Sequence, residues 1–336
     1  MTDVSLHIDQ VTEERLRRAH YRIYGHSAVE ICHWTKQALK GKGVCYKEKF
    51  YGIDSYRCME FSPSAIICEN RCIYCWRMID FYKTQRMPDR SVLSPVDIAK
   101  TLLIERRKLL AGFLGDTSLD KQKIIESFTP THYAISLSGE PTLYPKLPSL
   151  IKYLKGLPET KSVFVVTNGQ EPSMIRRLIA ENALPTQLYL SMSATSKEDY
   201  LKINRPLYKD AWDRFLESLS IIKDVATRTV IRYTLIKGIN DQGYKTKIAA
   251  ELIKVANPNF VEIKSYMHIG GSMSNLGAEH MVEPMEIDVF SNRLLKLLPL
   301  FLFIDKSVIS RVDLLQNQAN YIDRWIVKPS GHSNKR

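Results

Sequence analysis

The sequence predicts an α/β fold, a partial (β/α)6 barrel preceded by an N-terminal extension. Three observations carry this reading. Six β-rich runs alternate with six amphipathic stretches, which argues for a parallel sheet with helical crossovers. Right-handed crossovers curl such a sheet into part of a barrel. Small, polar or charged residues collect at the ends of the β-rich runs, where a barrel of this kind keeps its active site.

The strands are expected over 64–67, 132–137, 162–166, 187–192, 229–235 and 260–266, each followed by a helix: 95–111, 147–155, 172–182, 208–224, 241–256 and 286–298. The first strand runs straight into Cys68. The second ends in Ser138-Gly139-Glu140-Pro141-Thr142, the third in Thr167-Asn168-Gly169 and the fourth in Ser191-Met192-Ser193-Ala194. The fifth passes Arg232 and reaches Lys237-Gly238-Ile239-Asn240-Asp241, and the sixth reads Glu262-Ile263-Lys264-Ser265-Tyr266-Met267. Any one of these is an ordinary turn on its own. Ahead of the barrel, Ser27 and Glu30 fit a capping box that opens a helix over 28–40. Gly41-Lys42-Gly43 closes it, so Cys32 rides on the helix, with Cys45 and Cys58 on irregular chain after it. This divides the chain into an extension (1–60), the barrel (61–282) and a C-terminal helix, strand and tail (283–336). The polar tail from Lys328 is expected to be disordered.

Bulk properties set further bounds. A chain of 336 residues buries one large core or two modest ones. Its most apolar stretch, Leu294 to Ile304, is broken by Lys296 and Pro299 and is too short to span a bilayer. The N-terminus has neither a basic start nor an apolar core. A cytoplasmic monomer with no membrane contact is expected. The net charge of +12 favours an anionic partner.

The cysteines form two triplets. Cys68, Cys72 and Cys75 read C-x3-C-x2-C, and Cys32, Cys45 and Cys58 are separated by twelve residues each. In a reducing interior, clustered cysteines read as metal sites or catalysis rather than disulfides. Soft thiolates select iron–sulfur clusters among metals. Structural zinc stays open, but it needs a fourth ligand such as His33.

The C-x3-C-x2-C loop and the strand-end motifs after it resemble the radical S-adenosylmethionine (radical SAM) enzymes. That resemblance implies a TIM-like partial barrel of the radical SAM type. It implies that Cys68, Cys72 and Cys75 hold a [4Fe–4S] cluster whose open iron takes S-adenosylmethionine. Tyr74 matches the aromatic contact to adenine. Ser138, Gly139 and Glu140 stand in place of a Gly-Gly-Glu motif for the methionine amine, with Ser138 replacing the first glycine. Asn168, Ser191 and Ser193 fall where the family places ribose and carboxylate contacts.

Both triplets together resemble one family within these enzymes, the tRNA 4-demethylwyosine synthases of wybutosine biosynthesis. Lys264-Ser265-Tyr266-Met267 and Ser310-Arg311-Val312-Asp313-Leu314-Leu315 add to the match. The resemblance implies a second [4Fe–4S] cluster on Cys32, Cys45 and Cys58 that binds pyruvate. It implies a reaction that joins carbons 2 and 3 of pyruvate to N1-methylguanosine-37 in the anticodon loop of tRNA-Phe. Lys47 falls where the family has a lysine that forms a Schiff base with pyruvate. An imine needs an unprotonated amine, which burial or a cationic neighbour favours. The chain resembles the shorter archaeal form, so an external donor of flavodoxin or ferredoxin type supplies electrons.

The segment from Arg15 to Arg57 carries ten Lys/Arg against three Asp/Glu, interleaved with Tyr21, Tyr24, Trp34, Tyr46, Phe50, Tyr51 and Tyr56. Such a pattern reads single-stranded RNA when its rings are exposed, and is a cationic face over core aromatics when they are not. The rival enzyme reading keeps the radical SAM core with its auxiliary cluster and changes the substrate to something other than tRNA.

Overall fold

The computed structural model describes residues 6–78 and 86–328. The expected disordered tail beyond Lys328 lies outside the described residues. Helix α1 (Gln10–Arg18) leads into a hairpin of β1 (Arg22–Tyr24) and β2 (Ser27–Glu30), then two short helices, α2 (His33–Leu39) and α3 (Tyr46–Tyr51). Strand β3 (Cys58–Ser62) is followed by α4 (Pro95–Ala111), α5 (Lys121–Ser127), β4 (His132–Ile135), α6 (Leu147–Lys155), β5 (Ser162–Thr167) and α7 (Pro172–Ala180). Next come β6 (Gln187–Met192), α8 (Lys197–Asn204), α9 (Ala211–Ile222), β7 (Arg228–Leu235), α10 (Gly243–Ala256) and β8 (Phe260–Ser265). The described chain closes with α11 (Pro284–Leu297) and a hairpin of β9 (Phe301–Ser307) and β10 (Val312–Asn317).

All ten strands form one sheet, ordered β1-β2-β3-β4-β5-β6-β7-β8-β10-β9. Strands β3 to β8 are parallel, and an antiparallel hairpin extends each edge. The parallel strands are apolar on both faces, as burial on both sides requires. Ile135, Val163, Val165, Leu188, Leu190, Ile231, Val261 and Ile263 pack in the core with the helices. Residues of the opposite parity, Ala134, Phe164, Tyr189, Val230 and Phe260, pack instead with Tyr46, Phe50, Tyr51 and Ile53. Helix α3 is thus a plug in the N-terminal mouth of the barrel. Residues near the C-terminus seal it: Ile326 N–H donates to Tyr51 O (2.8 Å), and the Arg228 guanidinium donates to the carbonyls of Asp323 (2.5 Å) and Arg324 (2.7 Å).

A strand repeats its face every two residues. Each inward row therefore changes chemistry from floor to rim. The rows read Cys58–Glu60–Ser62, Ala134–Ser136–Ser138, Phe164–Val166–Asn168, Tyr189–Ser191–Ser193, Val230–Arg232–Thr234 and Phe260–Glu262–Lys264. The floor is largely apolar and the rim is polar.

Several expectations need correction. The first barrel strand is Cys58–Ser62, and 64–67 is a turn. Pro63 has no N–H for the ladder and ends the strand. The turn instead binds the second strand end, with Ser64 Oγ donating to Glu140 O (2.7 Å) and Glu140 N–H donating to Ile67 O (2.8 Å). Cys58 therefore sits on a strand, and the boundary drawn at 60/61 falls inside that strand. Ser27 and Glu30 do not cap a helix; they bound β2, whose Ala28 and Val29 are buried. Ser27 Oγ donates to Tyr24 O (2.6 Å) across a turn in which Gly25 has φ +56°. The helix begins later, and Cys32 caps it rather than riding on it. The stretch 208–224 yields only α9, with α8 as a further helix before it, and the C-terminal unit has two strands.

Gly52 closes α3 with φ +74°, and a Cβ there would overlap the carbonyl oxygen of Val327. Gly52→Ala is expected to cost roughly 2 kcal/mol or more, through strain and lost sealing of the plug. A chemical denaturation midpoint unchanged from the parent would contradict this.

Candidate active site

The Cys68–Cys75 loop leaves β3 through the 63–67 turn and lies over the rim. Arg71 N–H donates to Asn204 O (2.9 Å), Ile73 N–H to Ile203 O (2.9 Å) and Leu207 N–H to Glu69 O (2.9 Å), which staple the loop to the end of α8. One amide side chain from a lumen row and one from the end of α8 reach its sulfurs. Asn168 Nδ2 lies 3.7 Å from Cys68 Sγ, and Asn204 Nδ2 lies 3.5 Å from both Cys72 Sγ and the Tyr74 hydroxyl. Ser193 Oγ donates to Asn204 Oδ1 (3.0 Å), so Asn204 links Ser193, Tyr74 and Cys72. Burial pushes the Cys72 thiol up to about 12, with Cys75 adding to it. Burial, then Glu69 and Glu140, holds Cys68 well above the ordinary thiol range. A metal binding there must displace those protons.

Gly139 has φ +69°, and a Cβ on it would overlap Ser64 O. Ser138 Oγ donates to Ala65 O, so the hydroxyl in place of the first glycine is used to hold the turn. Glu140 accepts at Oε1 from Thr142 N (3.1 Å), Thr142 Oγ1 (2.6 Å) and Thr167 Oγ1 (2.7 Å), and at Oε2 from Asn168 N (2.9 Å). That carboxyl group knits two strand ends together beneath the cysteine loop. Ser191 is half-buried on the row of Tyr189.

The second triplet gathers at the plug. Cys32 caps α2, Cys45 caps α3 and Cys58 opens β3. The three lie within electrostatic reach of one another: burial raises all three thiols, Cys32 further raises Cys45 and Cys58, and Cys45 reaches about 12. Among the described residues no three or more Cys, His, Asp or Glu side chains converge as a single-metal site does. Each trio offers sulfur donors alone, a set suited to iron–sulfur ligation.

Lys47 is the lysine of the plug. It is 8% exposed, and its ammonium lies over the Phe164 ring (4.8 Å) and the Tyr189 ring (5.0 Å). Around it is a polar layer whose Arg232, Glu262 and Lys264 stand out in the sequence at the strand ends but carry no assigned role there. Glu262 is fully buried and accepts from Tyr51 OH (2.8 Å) and Tyr189 OH (3.1 Å) at Oε1, and from Tyr46 OH (3.1 Å) and Arg232 Nε (3.1 Å) at Oε2. Lys264 stands nearby, brought down to about 8 by burial and by Arg232. The only signal in the sequence was Arg232, Glu262 and Lys264 at alternate positions inside otherwise apolar strands. The rings of the N-terminal segment are not displayed for stacking: Tyr21, Tyr46, Phe50 and Tyr51 are buried, and Tyr24, Trp34 and Tyr56 half-buried. The cationic segment over core aromatics is the reading that holds.

Residues 63–246 match the Radical SAM superfamily, and residues 255–317 match the family described as Wyosine base formation. The S-adenosyl-L-methionine-dependent tRNA 4-demethylwyosine synthase of Pyrococcus horikoshii is 40% identical over 305 residues, covering 90% of this chain and 87% of that protein. The chain belongs to the radical SAM tRNA 4-demethylwyosine synthase family. Its human relative, TYW1, is 37% identical over 298 residues, and the match covers 87% of this chain but 39% of the human protein. A structure of TYW1 with a lysine–pyruvate adduct bound is similar at a TM-score of 0.82 and 36% identity, covering 95% of this chain and 99% of that one. A crystal structure of archaeal TYW1 is similar at a TM-score of 0.76 and 33% identity. Membership bears out the expected radical SAM barrel and brings S-adenosylmethionine and an iron–sulfur cluster with it. Among the described residues, no helix is long and apolar enough to cross a membrane.

Gly139→Ala is expected to weaken S-adenosylmethionine binding about tenfold or more, since strain of this kind costs about 1–3 kcal/mol. Titration calorimetry on the reconstituted protein measures this, and parent-like affinity would contradict it.

Proposed function

We propose that this chain condenses N1-methylguanosine-37 of tRNA-Phe with carbons 2 and 3 of pyruvate to form 4-demethylwyosine, the bond to the C1 carboxyl group breaking and that group being lost. The observation that carries the proposal is Lys47, an amine buried in the barrel lumen beside one thiol trio and below the rim that bears the other. A surface lysine would have no such cage. The relatives' name supplies the tRNA product, and the TYW1 structure with a lysine–pyruvate adduct supplies a chemical precedent for the amine.

Cys68, Cys72 and Cys75 would hold one [4Fe–4S] cluster, and Cys32, Cys45 and Cys58 a second. With S-adenosylmethionine bound, the group held by Cys68, Cys72 and Cys75 would supply a carbon-centred radical able to take hydrogen from the N1-methyl group. The protein does the rest. Tyr74, Ser138, Gly139, Glu140, Asn168, Ser191 and Ser193 line or brace the rim that would hold S-adenosylmethionine. Lys47 takes the pyruvate carbonyl carbon as an imine, with water leaving. The rings of Phe164 and Tyr189 keep that amine in one place and exclude water from it. The sealed floor makes the rim the entrance for the tRNA base, and a splayed anticodon-loop nucleotide reaches it without breaking a duplex. Electrons come from an external flavodoxin- or ferredoxin-type donor in the reducing cytoplasm.

Three measurements test this reading. Mass analysis of nucleosides, after incubation with methylated tRNA, pyruvate and reductant, should show the tricyclic base; its absence defeats the proposal. Cys32→Ala should lower iron from about eight to about four atoms per chain while S-adenosylmethionine cleavage persists. Loss of both clusters together would contradict separate sites. Lys47→Ala should abolish borohydride trapping of labelled pyruvate, and persistent trapping would remove Lys47 from the chemistry.

A further inference from the structure

We infer that Arg232 and Lys264 form the anion site that receives the carboxylate of the keto acid bound by Lys47. The inference rests on the proposed role of Lys47 and gives the other end of the substrate to these two cations rather than to the second cluster, where the family resemblance would put it.

The geometry starts with two shared rings. The Tyr189 ring carries the Lys47 ammonium at 5.0 Å and the Arg232 guanidinium at 4.4 Å from its centre, so no more than about 9.4 Å separates the two cations. The Tyr46 ring lies 5.4 Å from the Lys264 ammonium, and its hydroxyl accepts from Arg232 Nη2 (2.8 Å). Strands β7 and β8 pair Arg232 with Glu262 and Thr234 with Lys264, which puts the two cations on adjacent lumen rows. Three positive groups thus line two neighbouring rings of the lumen.

Their negative counterpart falls short. Glu262 spreads its two oxygens over three tyrosine hydroxyls and Arg232. Glu60 is engaged by Arg77 (3.4 Å), which also binds Glu30 (2.9 Å). Lys264 makes one hydrogen bond, to Ser310 O (2.7 Å), and so has donor capacity left over. Arg232 Nη1 likewise has no hydrogen-bond partner among the described residues, while Nε and Nη2 are engaged. Both side chains are half-buried at the lumen, so an anion that joins their spare donors gains charge-assisted hydrogen bonds in a setting less screened than bulk water.

The chemistry of an α-keto acid fits this gap. Its carboxylate is bonded directly to the carbon that an amine attacks. With that carbon at Lys47, the carboxylate must lie within the same few ångströms, where a guanidinium edge and an ammonium offer charge-assisted hydrogen bonds. The rings of Phe164 and Tyr189 beside Lys47 offer the rest of the substrate a surface suited to a methyl group. The ligand class is therefore a small 2-oxo monocarboxylate.

The test is borohydride trapping on the reconstituted enzyme, comparing labelled pyruvate with labelled methyl pyruvate, a neutral ester larger by one methyl group. The parent should prefer pyruvate. Lys264→Gln and Arg232→Lys should raise the half-saturating pyruvate concentration, by about tenfold for Lys264→Gln, since it removes a charge-assisted hydrogen bond. Both should narrow the preference over the ester in proportion, with iron content unchanged. Lys264→Arg, which keeps the charge, should recover most of the preference. Unchanged half-saturation and preference in both variants would overturn the inference, as would a loss of iron that accounts for the change, because the cations would then serve the second thiol trio. If the parent traps no keto acid at all, the role of Lys47 fails first and takes this site with it.

Discussion

Glu262 is a carboxyl group sunk in the middle of a barrel with no exposure to water, and the arrangement of the site depends on satisfying it. Three tyrosine hydroxyls and one guanidinium do so. Two of those tyrosines, Tyr46 and Tyr51, belong to the helix that plugs the barrel. The hydrogen bonds that satisfy the acid therefore also fix the helix. An unpaired buried carboxyl group is costly, and a helix of six residues has little stability of its own. Each needs the other. Between Tyr46 and Tyr51 lies Lys47, and just before them Cys45, so their depth in the barrel is set by a group more than two hundred residues away.

The consequence is a lumen closed at one end, which on the proposed function is a reaction chamber reached from the other. Barrels of this type place their chemistry on the loops at the C-terminal ends of the strands. Here the Cys68–Cys75 loop follows that rule, braced by Asn168, Asn204 and the Glu140 network. The second trio and Lys47 break it: Cys45 and Lys47 enter through the opposite mouth on a plug sealed by Ile326, Arg228 and Gly52, and meet Cys32 at the start of α2 and Cys58 at the start of β3. Chemistry from both ends meets in the inward rows, whose side chains turn from apolar at the floor to polar at the rim.

The legible part of this design was the part written locally. Parallel strands buried on both faces give apolar runs, and strand ends that do chemistry carry Gly, Asn, Ser and Glu, so five of the six barrel strands and the cysteine loop could be placed. The failures have physical causes. Ser64–Ile67 is apolar enough to read as a strand, but Pro63 ends the ladder before it. Ser27 and Glu30 have capping-box spacing, yet Val29 between them is wholly buried in a hairpin. The plug was invisible because amphipathic pattern does not reveal which core a helix enters. Glu262, Arg232, Lys264 and Asn204 were missed or left without a role because their partners are distant in sequence; Tyr46 and Glu262 are 216 residues apart.

The central claim is that both thiol trios look into one lumen. Electron paramagnetic resonance of the fully reconstituted, reduced protein tests it most directly. Two clusters in a shared chamber should give spin-coupled signals that simplify to a single uncoupled spectrum when Cys45 is replaced by Ala. Two independent signals in the parent, or one cluster only, would contradict the account.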